Sequence, residues 1–146
     1  MRISPADLEK LFERLFKRGA VIFTQMYFSD GTSKRKYLIV LNHDPAEPET
    51  LLFLTTSKVG FYEQNPSFRE HIKIKAGVCD FFASETVINC RGVQSMPRAM
   101  LKKRYLEKKL NIVGELPSEI MGEIDKIVTV SRFIMPRHKK AILGWK

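Results

Sequence analysis

Two short polar runs carry residue types that suit chemistry on a phosphate group. One is the cationic run Lys34-Arg35-Lys36, which precedes an apolar segment, and the other is Thr55-Thr56-Ser57, which ends the next apolar segment. A guanidinium is always cationic and can bind a phosphate with two parallel hydrogen bonds. A hydroxyl can hold the same phosphate or a water. An exposed loop tip and ordinary strand-end threonines are the alternative interpretation of these two runs.

The charge of the chain adds a preference for polyanions. The 146 residues include 25 Lys and Arg against 16 Asp and Glu, which gives a formal net charge of +9. Residues 91–146 hold 13 of the basic and 5 of the acidic residues, so this third of the chain supplies +8 of the excess. Such a surface attracts RNA, DNA, an acidic protein segment or an anionic membrane. A surface that only keeps the protein in solution is the alternative.

Several functional classes have no support in the sequence. The glycine-rich phosphate-binding and dinucleotide-binding motifs and the nucleophile elbow are absent. Cys79 and Cys90 lack C-x-x-C spacing, and His43, His71 and His138 lack the spacing of a zinc site. We therefore expect no cofactor, no metal, reduced thiols and a cytoplasmic location. We expect no membrane association, because no uncharged run approaches the length of a membrane span.

The elements that must position the two polar runs are predicted from periodicity and turn residues. A helix over residues 4–18 starts with Ser4 as its N-cap, carries an apolar face and stops at Gly19. Short strands are predicted at Ala20–Phe28, Tyr37–Leu41, Leu51–Thr56, Val59–Glu63, His71–Lys75, Val78–Phe82 and Thr86–Cys90. The first two strands form a hairpin, and residues 34–36 are expected at the tip of its loop.

The last third of the chain is predicted to be mainly helical. Helices are expected over Pro97–Leu110 and Pro117–Phe133, with a break or a short strand between them, and Arg137–Lys146 is expected to be a loosely held basic tail. Consecutive short antiparallel strands favour a small barrel, because closure removes exposed strand edges. We therefore predict one α+β domain that comprises a helix (1–18), barrel strands (19–93), a helical part (94–135) and the tail (136–146).

The order of motifs along residues 17–134 is a further signal. It runs through Lys17–Phe23, Phe28–Gly31, Lys34–Leu41, Leu51–Ser57, Thr86–Val93 and Leu116–Glu119. This order resembles that of the MazF/PemK-type toxins of toxin–antitoxin pairs. The resemblance implies an SH3-like antiparallel β-barrel, usually homodimeric, and a metal-independent endoribonuclease that cuts single-stranded RNA. It also implies an acidic antitoxin protein that blocks the RNA groove.

The same resemblance implies catalytic roles for Arg35, Lys36 and Thr56. The family's catalytic arginine precedes a proline of the second strand. Lys36 holds that position in this sequence, with Arg35 before it and Tyr37 in place of the proline. The family's catalytic threonine ends the third strand, where Thr56 stands.

Six further residues are implied as RNA-binding: Lys34, Thr55, Ser57, His43, Asn89 and Arg91. Some family members carry Arg-x-Asp after the later strand as acid and base, whereas this chain reads Asn89-Cys90-Arg91 and lacks the aspartate. His43 is the nearby residue type suited to proton transfer near neutral pH, with an ordinary surface histidine as the alternative. A non-catalytic relative that binds RNA or a protein target such as gyrase is therefore the second functional hypothesis, and an interaction module that uses the N-terminal helix is the third.

Overall fold

The computed structural model describes residues 3–58 and 70–145. The strand predicted at Val59–Glu63 and the turn predicted after it lie outside these residues. The described part of the chain contains six strands and four helices, in the order α1 (Pro5–Leu15), β1 (Ala20–Tyr27), β2 (Ser33–Val40), β3 (Glu49–Thr56), β4 (His71–Ile74), β5 (Thr86–Pro97), α2 (Arg98–Leu106), β6 (Asn111–Glu115), α3 (Ser118–Val130) and α4 (Pro136–Leu143). The predicted α+β class is therefore confirmed.

The described strands form one antiparallel sheet in the order β4-β5-β3-β2-β1-β6. The sheet curls into a half-barrel. Because all neighbours are antiparallel, β1, β3 and β4 end where β2 and β5 begin. We call this the hairpin end of the sheet, since the turn between β1 and β2 lies there.

Helices cover both faces of the sheet. Successive strand residues alternate between the faces, and the near-continuous apolar runs of β1 to β3 therefore fill two cores. We call the first side the α1 face; its core includes Phe12, Phe16, Ile22, Leu38, Leu52 and Leu101. The second is the α3 face; its core includes Val21, Ile39, Phe53, Ile124, Val128 and Ile142.

The first helix and the first hairpin form where they are predicted, although the helix ends at Leu15 and not at residue 18. The hydroxyl of Ser4 accepts a hydrogen bond from the backbone N–H of Asp7 at 3.2 Å, as an N-cap should. Gly19 has a φ of +87° and turns the chain into β1. Its N–H then donates to the carbonyl of Val40 at 2.8 Å, which fixes α1 against the hairpin.

The prediction of a strand at Val78–Phe82 is wrong. This segment forms two turns, in which the N–H of Val78 donates to Lys75 O at 3.2 Å and the N–H of Phe82 donates to Cys79 O at 3.1 Å. Its apolar residues are used for long-range packing instead. A Cβ built on Gly114 of β6 would lie 2.6 Å from the Phe81 ring, so the segment reaches across to the far edge strand.

The prediction of a loosely held tail is also wrong. Residues 136–143 form α4, in which Ile142 is fully buried, and the helix ends at Gly144 with a φ of +71°. Pro136 begins this helix, because the fixed φ of proline suits a first helical position. The strand predicted at Thr86–Cys90 is longer than expected and extends to Pro97. Of the break and the short strand considered between the two C-terminal helices, the short strand forms, over Asn111–Glu115.

Both cysteines, Cys79 and Cys90, are buried free thiols. Burial raises the pKa of the Cys90 thiol to about 12, so this group stays protonated. None of the described helices combines the length and the apolar character that crossing a membrane requires.

Candidate nucleic-acid interface

The cationic run at residues 34–36 lies within β2 and not at a loop tip, which corrects the prediction. These residues pair with residues 24–26 of β1, because the turn that closes the hairpin is short. Asp30 fixes this turn, since its carboxylate accepts from the N–H of Thr32 at 2.9 Å and from its hydroxyl at 2.6 Å.

Strand geometry sends Arg35 and Lys36 to different faces of the sheet. The guanidinium of Arg35 lies 5.2 Å from the ring centroid of Phe23, on the α3 face. Lys36 shares the α1 face with Leu38, two residues along the same strand. The two cations therefore approach the hairpin end from opposite sides.

The hydroxyl run ends β3 at the same place. The register of Leu38 with Leu54, continued by one residue, places Thr55 beside Tyr37. Accordingly, the hydroxyl of Thr55 donates to Tyr37 O at 2.9 Å. The hydroxyl of Thr56 accepts from the N–H of Lys58 at 3.1 Å. The structure thus brings the two polar runs together, as the sequence predicted.

Two adjoining clefts open at the hairpin end. We call the first the polar cleft; it has a volume of about 240 Å³ and is lined by Arg35, Lys36, Tyr37, Thr55, Thr56, Ser57, Phe82, Ala83, Ser84 and Thr86. We call the second the apolar cleft; it has a volume of about 380 Å³ and is lined by Phe28, Lys36, Leu54, Thr55, Thr56, Lys58 and Asn89. Lys36, Thr55 and Thr56 line both clefts, and we call these three residues the shared rim.

Aromatic rings support the polar cleft. Tyr37 packs against Phe23 with ring centroids 4.5 Å apart, and the edge of Phe82 meets Tyr37 at 5.3 Å. The guanidinium of Arg35 lies at one end of this row. Such stacking holds a long side chain in one orientation while its N–H groups stay available to a ligand.

Lys36 is the electrostatic centre of the shared rim. Partial burial lowers the pKa of its ammonium group, and the positive charges of Lys34 and Lys58 lower it further. In residues 3–58 and 70–145, Lys34, Arg35, Lys36 and Lys58 have no ion-pair partner. A bound anion would offset the repulsion among the three lysines, so this arrangement favours a phosphate.

Asn89 lies in β5 with its side chain already fixed by the local backbone. Its amide oxygen accepts from the N–H of Arg91 at 3.0 Å, so the amide NH₂ remains as a donor in the apolar cleft. Its cross-strand neighbours on the two sides are Leu54 and His71.

The structure does not bring Arg91 to either cleft. Leu54 pairs with Asn89, but the preceding residue Phe53 pairs with Val93, so residues 90–92 form a bulge. The bulge turns the Arg91 side chain away, and its guanidinium lies 4.0 Å from the ring centroid of Phe133.

His43 is also remote from the clefts. It follows β2 at the opposite end of the sheet, where its N–H donates to Ala141 O at 2.9 Å and its ring lies against Gly144. Roughly 20 Å of extended strand separates it from Lys36. His43 therefore cannot exchange a proton with a group bound on the shared rim.

Several residues at this site were missed by sequence reasoning. Lys58 directly follows the hydroxyl run, and this position could have indicated it. Phe28, Ser84 and Thr86 gave no such signal, because the fold of the hairpin and the pairing of β5 with β3 bring them here.

Comparison with known proteins does not identify this chain. No family model matches it, and no curated protein is significantly similar to it. The similarity in motif order to the MazF/PemK-type toxins therefore stays a prediction. In the part of the chain that the structure describes, no group of three or more His, Cys, Asp or Glu side chains could hold a metal ion.

Proposed function

We propose that this protein binds single-stranded RNA at the hairpin end and cleaves it as a toxin-like, metal-independent endoribonuclease. One observation carries the proposal: three cations without ion-pair partners among the described residues, Arg35, Lys36 and Lys58, line two clefts that share Lys36 and the hydroxyls of Thr55 and Thr56. Backbone phosphates are the ligands that such a cluster recognises, whatever the base sequence.

The proposal includes a divergent SH3-like barrel that assembles as a homodimer. The curled sheet supports the barrel, and so does the packing of Phe81 on Gly114, which links the segment after β4 to β6. An acidic antitoxin would compete with RNA for Lys34, Arg35 and Lys58.

The chemistry follows from the residues at the rim. Lys36 acts as the general base: partial burial and the charges of Lys34 and Lys58 lower its pKa, so its neutral form is more accessible than that of an ordinary lysine, and this form removes the proton of the 2′-hydroxyl. The 2′-oxygen then bonds to phosphorus while the bond from phosphorus to the 5′-oxygen breaks. Arg35 stabilises the negative charge that builds up on the phosphorane, and the ammonium of Lys36 returns the proton to the 5′-oxygen. The products are a 2′,3′-cyclic phosphate and a 5′-hydroxyl.

Incubation of the purified protein with a long single-stranded RNA in EDTA tests this proposal. We expect fragments with cyclic phosphate ends. Lys36→Ala should slow cleavage by about 10²- to 10⁴-fold, the usual contribution of acid–base catalysis. Arg35→Ala and Thr56→Ala should also slow it, whereas Lys140→Ala in α4, at the opposite end of the sheet, should not. Intact RNA, or cleavage that all three rim and cleft variants retain, would contradict the proposal.

Binding of RNA without turnover is the second candidate function. It is favoured by the fact that neither cleft has an Asp, Glu or His among its described lining residues. Retention of intact RNA, with an affinity that falls steeply as salt rises, would support this function. Retention of gyrase and not RNA would instead support the protein-binding relative.

A further inference from the structure

We propose that the RNA strand crosses the hairpin end of the sheet from one face to the other. One nucleobase lies in the apolar cleft, its phosphate lies on the shared rim, and the next nucleotide lies in the polar cleft. This inference rests on the proposed function and assigns the parts of the substrate to the two clefts.

The path follows from the position of the clefts. The polar cleft contains Arg35, which lies on the α3 face, and the apolar cleft contains Phe28 and Leu54, which pack on the α1 face. Among the described lining residues, the two clefts share only those of the shared rim. A single chain that occupies both must therefore place its connecting phosphate at the rim, where Lys36 stands.

The walls of the apolar cleft suit a nucleobase and not a phosphate. Phe28 and Leu54 offer an aromatic ring and an aliphatic surface, and base stacking on an aromatic ring is a common way to hold a single strand. The volume of about 380 Å³ falls within the range of about 300–1,000 Å³ that is usual for small-molecule sites.

Asn89 supplies the polar contact to the edge of this base. Its oxygen is committed to the N–H of Arg91, so its NH₂ donates. The hydroxyl hydrogen of Thr55 is committed to Tyr37 O, so its oxygen accepts. Asn89 and Thr55 thus present one donor and one acceptor to the cleft, a pair that matches the hydrogen-bonding edge of a base.

Equilibrium binding to short 2′-O-methyl RNA, which cannot be cleaved, tests the nucleobase site. Phe28→Ala should weaken binding by roughly 5- to 150-fold, and Phe28→Tyr should restore most of the affinity. Trp145→Ala is the matched control, because Trp145 is half exposed and lies beside α4. An abasic oligonucleotide of the same length should bind wild type and Phe28→Ala equally.

Asn89→Asp tests the edge contact with little change in shape. The carboxylate can still accept from the N–H of Arg91, but it replaces the donor with a second acceptor. We expect a larger loss of affinity for the RNA than for the abasic strand. The loss for the abasic strand reports the effect of the added charge alone.

The crossing itself is tested with ligands of different length. Phe28→Ala should weaken the binding of a nucleoside monophosphate and of a trinucleotide by similar factors, whereas Arg35→Ala should weaken the trinucleotide by the larger factor, because only the trinucleotide also fills the polar cleft. If RNA binds but Phe28→Ala and Asn89→Asp behave like wild type, this inference is overturned and the proposed function stands. If no RNA binds at all, the proposed function fails as well.

Discussion

Gly114 in β6 supports the candidate site although it lies at the far edge of the sheet. The ring of Phe81 occupies the space that a side chain at this position would need. Phe81 packs against Phe82 at 4.7 Å, and Phe82 packs against Tyr37 at 5.3 Å in the polar cleft. The absence of a side chain at Gly114 thus helps to position Phe82 and Tyr37 in the polar cleft, although Tyr37 lies two strands away in β2.

Gly114→Ala should therefore destabilise the protein. The new methyl group would lie 2.6 Å from two ring carbons, so the ring of Phe81 must move. We expect the free energy of unfolding to fall by about 1–3 kcal/mol, as is usual for overpacking, measured by urea denaturation.

Gly92→Ala is the matched control for this change. Gly92 also lies in a strand, but a Cβ there would meet nothing within 4 Å. We expect a change of less than about 0.5 kcal/mol, the usual range for surface positions. Equal free energies of unfolding for Gly114→Ala and Gly92→Ala would show that the packing of Phe81 does not require a glycine at position 114.

The predicted strand order and the family resemblance implied that the cations and hydroxyls meet, but not how each is oriented. An antiparallel hairpin brings the start of β2 to the end of β3, whatever the details of its turn. The face that each side chain takes depends on register, since a shift of one residue exchanges the faces. That is why Arg35 and Lys36, which were expected together at the tip of a loop, lie on different faces of the sheet.

The contact between α1 and α2 depends on a cluster of ion pairs. The carboxylate of Glu13 accepts from Arg98 at 2.5 Å and from Lys102 at 2.9 Å, and Lys102 also donates to Glu9 at 2.8 Å. The hydrogen bond from Lys102, followed by that from Arg98, lowers the pKa of Glu13. These pairs join the N-terminal helix to the basic second helix.

Glu13→Gln should reduce stability in a pH-dependent way. A carboxylate with a lowered folded-state pKa stabilises the fold above its unfolded pKa of about 4.3, and this contribution disappears as the pH falls through the folded-state value. Because Glu13 is about half exposed, we expect a loss of at most about 1 kcal/mol near pH 7. The difference from wild type should shrink to zero in acid.

Urea denaturation of wild type and variant across the acidic range measures this effect. Glu123→Gln is the control, because Glu123 is exposed in α3 and has no ion pair within the described residues. A Glu13→Gln difference that stays constant down to the lowest pH would rule out the ion pairs as its cause.

At the level of elements, local signals predicted well only where the packing is local. The helix from Ser4 and the hairpin of β1 and β2 carry their own caps and turn residues. Val78–Phe82 has the composition of a strand, but the segment forms turns, and the ring of Phe81 packs against Gly114 in the edge strand β6. The many basic residues of α4 led to the prediction of a loose tail, although the apolar side chain of Ile142 anchors the helix in the core.

At the scale of the whole molecule, the structure redistributes the charge that the sequence indicates. Residues 91–146 hold most of the positive excess, yet several of their cations are engaged within the fold. Arg98 and Lys102 pair with carboxylates of α1, and Arg104 donates to the carbonyl of Gln25 at 2.9 Å. The cations without ion-pair partners at the hairpin end come instead from the nearly neutral first part of the chain. Net charge therefore did not indicate where the cations without ion-pair partners at the hairpin end would lie.

This distribution predicts which lysines control the salt dependence of RNA binding. Each phosphate contact on a single strand contributes about 0.7 to the slope of log affinity against log salt concentration. The charge of Lys58 lowers the pKa of Lys36 on the shared rim, so Lys58 lies near the phosphate proposed there, and Lys58→Ala should reduce the magnitude of the slope by about 0.7 and weaken binding to all RNA sequences alike. Lys140→Ala removes the same charge at the opposite end of the sheet, beside the loop that holds His43, and should leave the slope unchanged. If both variants lowered the slope equally, RNA would be responding to the total charge of the protein and not to the hairpin end.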